Sequence, residues 1–139
     1  MCGIFGYVGK SNTASQITLE GLKLLEYRGY DSWGVAFKIK DNKLNLKNRF
    51  NVEKYIGKIG NARLEQDSNS SLAVGHTRWA THGGVTQVNA HPHLDCTKTI
   101  SVVHNGIVEN FEDLKKDLIK KGHKFVSETD TEIIPHLIE

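Results

Sequence analysis

The chain enters a strand almost at once. Ile4-Phe5-Gly6-Tyr7-Val8-Gly9 alternates small and bulky residues directly after Cys2-Gly3, which is the pattern of a buried strand. A strand this close to the N-terminus ties that terminus into a sheet, so residue 2 is anchored and not frayed. From Thr13 to Tyr27 the positions Ala14, Ile17 and Leu24, with Leu22 and Leu25 on an adjacent row, follow helical spacing that ends at Arg28-Gly29. The spacing predicts a helix laid over that sheet.

Further along, Val35 to Ile39 and Leu44 to Leu46 read as a hairpin across Asp41-Asn42, and Val52 to Ile59 as a short helix. Gln66 to Ser71 is a polar loop. Ser71 to His76 and Thr99 to His104 read as buried strands, each running into a chemically unusual loop. Asn110 is placed to cap a helix bearing Phe111, Leu114, Leu118 and Ile119, stopped by Gly122. A last helix starts near Asp130, with Pro135 at the end of its first turn, where a missing amide proton costs little. There is no repeat or linker, and strands this close in sequence pair antiparallel. The expectation is one α+β domain, a layered sandwich spanning residues 1–139.

Composition narrows the function. The 139 residues are 38% hydrophobic, enough for one modest core. Charged residues make up 24% and leave a formal net charge of +2, with both signs interspersed. Without a basic stripe or acidic tail, neither nucleic acid nor a membrane surface is an expected partner. No apolar run reaches the length of a membrane span, no signal peptide is recognisable, and a cytoplasmic location is expected. Cys2 and Cys96 are then free thiols, because a lone disulfide at a chain terminus is a poor staple.

Several segments carry chemistry, each with a plainer reading beside it. Removal of Met1 would leave Cys2 with a thiol and an α-amino group of pKa about 8, a fair general base near neutrality; otherwise Cys2 is an inert second residue. His76-Thr77-Arg78-Trp79-Ala80-Thr81-His82-Gly83-Gly84 packs a guanidinium, an indole and two histidines into one stretch. Arg78 there can grip a substrate carboxylate bidentately, or pair with a structural one. Asn105-Gly106 supplies an amide donor and a glycine N–H, the make-up of an oxyanion hole, and equally the strongest hairpin-turn signal. Asp130, within Ser127 to Glu132, either starts a helix or binds an ammonium. His91-Pro92-His93 with Cys96 suggests a metal, but the spacing matches no familiar zinc pattern, and no metal or cofactor is expected.

Taken in order, Cys2 to Tyr7, Leu25 to Ser32, His76 to Gly83, His104 to Asn110 and Ser127 to Glu132 resemble the motifs of class II glutamine amidotransferases. Within that superfamily they are most similar to the N-terminal glutaminase domain of the glutamine–fructose-6-phosphate aminotransferase (glucosamine-6-phosphate synthase) family. The resemblance implies the N-terminal nucleophile fold, an αββα sandwich with antiparallel sheets, here incomplete at its C-terminus and lacking the sugar-isomerising domains. It implies that Cys2 attacks the glutamine side-chain amide while Asn105 and Gly106 hold the oxyanion. Arg78 would bind the α-carboxylate and Asp130 the α-ammonium. Trp79, Thr81, His82 and His91 would complete the pocket or its lid, and Arg28 and Gly29 a loop near the nucleophile. In full-length members the partners are glutamine, a sugar-phosphate isomerase domain and a homodimer mate. Two readings compete with this enzyme: a glutamine-binding or interaction fragment without turnover, and a zinc protein built on His91, His93 and Cys96. Trp33 departs from the family pattern, which leads one to expect a small residue there.

Overall fold

The computed structural model describes residues 1–38, 49–65, 69–81 and 83–139. Strands β1 (Gly3–Val8), β2 (Ser32–Lys38), β3 (Phe50–Ile56) and β4 (Leu72–Arg78) form an antiparallel sheet in the order β1-β4-β2-β3. The N-terminal strand is therefore an edge strand, paired through its whole length with β4. Register places Gly3, Thr77, Trp33 and Tyr55 in one row across the sheet and Ile4, His76, Gly34 and Lys54 in the next. Because side chains alternate along a strand, these rows face opposite sides.

Helix α1 (Ala14–Leu25) covers the first face. Its Leu22 side chain lies against Gly75 and its Leu25 against Gly3, while Phe5 rises from β1 onto Gly21. Leu19, Leu22, Trp33, Val35, Phe37 and Ile59 form the apolar core between helix and sheet. Full burial of a side chain such as Leu22 or Phe37 stabilises by about 1.5–3 kcal/mol. Trp33 fits this layer: it is 2% exposed and stacks on Tyr55 with ring centroids 4.5 Å apart.

The second face is covered by the segment around His91. A Cβ on Gly34 would run into the His91 carbonyl oxygen, and Lys54 reaches over to donate to the Val88 carbonyl. Beyond it come the two-residue strands β5 (His93–Leu94) and β6 (Ser101–Val102), then α2 (Phe111–Lys120) and α3 (Ile133–Ile138). α3 packs on α2, β5 and β6. The layer order is helix, sheet, small sheet, helices.

Two expectations need correction. Val52 to Ile59 is not a helix: Phe50–Ile56 is β3, because pairing with β2 from Ser32↔Ile56 to Lys38↔Phe50 satisfies its backbone along the whole strand. Thr99 to His104 is not a buried strand: only Ser101 and Val102 pair, with Leu94 and His93, and both are half-buried. Asn110 does sit at the start of α2, but its side chain makes no capping hydrogen bond. The predicted hairpin turn at Asp41-Asn42, with Leu44 to Leu46, lies outside the described residues, as does part of the loop from Gln66 to Ser71.

Candidate active site

The β1–β4 pairing delivers Cys2 to the end of β4. Gly3 N donates to Thr77 Oγ1 at 3.0 Å, and Trp79 N donates to Cys2 Sγ at 3.2 Å. The Cys2 carbonyl accepts from Asn105 Nδ2 at 3.1 Å and from Arg28 Nε at 3.4 Å. Cys2 is thus fixed from β4, from the turn after α1 and from the loop before α2. Gly29 makes the first two meet: a Cβ there would lie 2.7 Å from the Arg78 carbonyl carbon and 2.9 Å from Trp79 N, so only glycine lets the backbones approach.

Cys2 opens onto a cavity of about 450 Å³. It is lined by Arg28, Arg78, Trp79 and Thr81 together with His91, Asn105, Gly106 and Asp130. Every predicted site residue is here except Gly29, which packs on the Arg78–Trp79 backbone, and His82, which is outside the described residues. Met1 also borders the cavity and is largely exposed.

Arg78 is 4% exposed, and its guanidinium is aimed by two carbonyls, Nη1 to Gly84 O at 3.1 Å and Nη2 to Gly83 O at 3.4 Å. Gly83 presents its carbonyl from the left-handed region, φ +73°. Burial lowers the Arg78 pKa; the nearby Cys2, Asp31 and Asp130 charges oppose that. Sequence reasoning passed over Asp31. Its Oδ2 accepts from Ala80 N at 2.9 Å and its N–H donates to Arg78 O at 3.1 Å, which pins the turn bearing Trp79 and Thr81.

Asn105 is oriented by His76. Nε2 of the ring lies 2.8 Å from Asn105 Oδ1, and burial pushes the His76 pKa down to about 4, so the ring is neutral near pH 7. With the Nε2 proton directed at Oδ1, the amide must turn its NH₂ toward Cys2. His91 stacks on His76 at 4.3 Å and His93 meets His91 edge-on at 4.6 Å; burial holds both pKa values down. His91 and His93 are therefore one buried stack with His76, while Cys96 lies elsewhere, against His123 and His136. The three do not come together as one cluster.

Asp130 accepts from Val108 N at 2.6 Å, and Thr131 Oγ1 lies 3.3 Å from His104 Nδ1. These contacts lock the start of the last helical segment to the loop that carries Asn105-Gly106. That loop is a bend leading into α2 and not a hairpin turn. His76, His104, Thr129 and Thr131 border the cavity as well; each stands inside a motif block already singled out, and that position was the signal available for them.

This site sits in a recognisable family. A family described as "Glutamine amidotransferase domain" matches residues 60–139. The chain belongs to that family. Among curated proteins this amidotransferase domain is 52% identical over 139 residues to a glutamine–fructose-6-phosphate aminotransferase (isomerizing) of Methanococcus maripaludis, covering 100% of the chain and 22% of the relative. It is 50% identical over 139 residues to the corresponding protein of Pyrococcus horikoshii, again 22% of that relative's length. The domain thus spans about a fifth of the curated relatives it matches. Among solved structures it is similar to the glutamine phosphoribosylpyrophosphate amidotransferase of B. subtilis, with TM-score 0.75 and 28% identity over 99% of this chain and 29% of that one. A second, described as the allosteric regulatory enzyme of purine biosynthesis, matches with TM-score 0.75 and 29% identity. The layered α+β amidotransferase fold implied by the sequence motifs is borne out.

Proposed function

We propose that the chain hydrolyses the side-chain amide of glutamine to glutamate and ammonia through a γ-glutamyl thioester on Cys2. The observation that carries this reading is convergence. Cys2 Sγ, at 3.2 Å from Trp79 N, shares one cavity with the Asn105 amide, the guanidinium of Arg78 and the carboxylate of Asp130. A zwitterionic substrate needs a cation and an anion at opposite edges of its pocket. Arg78 supplies the first for the α-carboxylate, and Asp130 the second for the α-ammonium.

In the reaction the Cys2 α-amino group, freed by loss of Met1, takes the thiol proton as Sγ bonds to the amide carbon. Asn105 Nδ2 and Gly106 N–H receive the oxyanion. The proton passes to the departing nitrogen, the C–N bond breaks, and ammonia leaves a thioester. Water, deprotonated by the same amine, then releases glutamate and restores the thiol. Trp79, Thr81, His82 and His91 enclose the substrate, while Arg28 and Gly29 support the nucleophile's backbone.

The names of the relatives extend the proposal. Residues 1–139 serve as the ammonia-producing part of a longer cytoplasmic protein, whose sugar-phosphate isomerase domain uses the ammonia to convert fructose 6-phosphate to glucosamine 6-phosphate and which pairs as a homodimer. A glutaminase assay tests the core claim. Cys2→Ala is expected to lower glutamate release on the order of 10⁴-fold or more, and intact mass of the active protein is expected to lack Met1. Full activity with Met1 retained would overturn it. Calorimetric binding of glutamine by the wild type with no glutamate released would instead favour the binding-fragment reading.

A further inference from the structure

Away from the cavity, four side chains from three parts of the fold point at one another. Cys96 follows β5, His123 lies in the turn after α2, and His136 and Glu139 stand one turn apart at the end of α3. Their sulfur, ring-nitrogen and carboxylate-oxygen atoms all lie within 4.8 Å of one another.

We propose that these four residues bind one zinc ion as a closed, tetrahedral structural site. A tetrahedral zinc with Zn–S of about 2.3 Å and Zn–N and Zn–O of about 2.0–2.1 Å requires ligand–ligand edges of about 3.3–3.4 Å for N–N and N–O and about 3.6 Å for N–S. The His123 and His136 Nδ1 atoms are 3.3 Å apart. Cys96 Sγ is 3.6 Å from His136 Nδ1 and 3.9 Å from His123 Nδ1. Glu139 Oε2 is 3.1 Å from His123 Nδ1 and 3.5 Å from His136 Nδ1. Five edges match those of the tetrahedron to within a few tenths of an ångström.

Charge and surroundings agree with this. One thiolate and one carboxylate balance a divalent ion, and imidazole with thiolate is the donor set that suits zinc over magnesium or calcium. Lys124 N donates to Cys96 Sγ at 3.4 Å, and Cys96 N donates to Glu139 Oε2 at 3.2 Å, so both anionic ligands are oriented from outside. His136 is buried, and its far nitrogen, Nε2, has no hydrogen-bond partner but faces Glu132 Oε1 at 3.8 Å. A metal on Nδ1 places the ring proton on Nε2, toward that carboxylate.

The site would clamp the loop after β5, the turn after α2 and α3 together. The segment leading into α3 carries Thr129 and Asp130, which border the cavity, and Thr129 Oγ1 lies 2.9 Å from His93 Nε2, so the clamp would steady these lining residues. The proposal does not depend on the glutaminase reading.

Elemental analysis of the chain, expressed with zinc and dialysed against metal-free buffer, is expected to give about one zinc per chain. Cys96→Ser is expected to lose at least four-fifths of it, while Cys2→Ala, lacking the other thiol, keeps it. Cobalt substitution of the wild type is expected to show strong tetrahedral visible bands and a near-ultraviolet thiolate band, which keeps the test valid if Cys96→Ser fails to fold. Chelation is expected to lower the wild-type Tm, and zinc to restore it. Wild type that holds less than a tenth of an equivalent, a cobalt spectrum without the thiolate band, or loss of metal in Cys2→Ala would overturn the site.

Discussion

The part of the chain before Gly83 and the part after it meet at the cavity, yet they are filled with different material. Between α1 and the sheet the buried side chains are Leu19, Leu22, Trp33, Val35 and Phe37, an apolar layer with a row of small residues beneath it. After Gly83 the buried groups include Ala90, Leu118 and Ile133 but are mostly polar, among them Asn89, His91, His93, Asp95, Ser127, Thr129, Glu132 and His136. Glu132 alone accepts from Val126 N at 2.9 Å and from Ser127 N at 2.7 Å, and Asn89 Oδ1 accepts from Glu128 N at 2.9 Å. Apolar burial tolerates small shifts, because dispersion and solvent exclusion are non-directional. A buried polar network is directional, and each missing partner is costly. Cys2 is thus mounted on the tolerant half, and Asn105 and Asp130 on the exacting one.

The contrast is open to attack at several scales. Below the loss expected at Cys2, the largest effect is on the apolar layer: Phe37→Ala is expected to lower unfolding free energy by about 3–5 kcal/mol, measured by urea titration. A cost under 1 kcal/mol would mean that this layer does not hold the sheet. Asn105→Ala sharpens the opposite side. Glutaminase turnover is expected to fall roughly 10²–10³-fold with Tm little changed, since the residue closes a seam and fills no core. Acid probes the histidine stack. The His76 pKa is lowered from 6.5 to about 4, so the unfolded chain takes up the proton first. Its contribution is fully present above pH 6.5 and is lost as pH falls toward 4, by about 3 kcal/mol. His91 and His93, lowered by the same burial, add in the same direction. A flat stability profile between pH 7 and 4 would refute the neutral stack. At the small end, Lys120→Ala removes an exposed pair with Asp117 at 3.0 Å and is expected to change stability by less than about 0.5 kcal/mol.

The same division governs how much could be read from residue order. β1, β2, β4 and α1 were legible because their burial is apolar and local periodicity reports it. β3 was misread because Val52, Tyr55, Ile56 and Ile59 fall at i, i+3, i+4 and i+7, a helical stripe, and pairing with β2, from Lys38↔Phe50 to Ser32↔Ile56, overrode it. After Gly83, periodicity finds α2 but little else, since most of what is buried there is polar and is held by hydrogen bonds that no repeat reports. Cys96 drew attention to its neighbours His91 and His93, whereas the side chains it meets, His123 and His136, lie on other elements. Of the motif-block residues, Cys2, Arg78, Asn105 and Asp130 border one cavity together. The orienting roles of His76 and Asp31 depend on which atom faces which, and that is a property of the fold.

Asn105 joins the two halves with a single amide, Oδ1 toward His76 and Nδ2 toward the Cys2 carbonyl. Competence is therefore divided between two stretches of polypeptide. A fragment ending before Gly83 would carry the thiol and the guanidinium but neither the amide donor nor the acidic subsite, and a fragment beginning there would carry the reverse. Neither piece would turn over substrate alone, and recovery of activity on mixing would report reassembly of the seam directly. On the proposed glutaminase reading the two stretches would behave as a complementation pair, active only when docked.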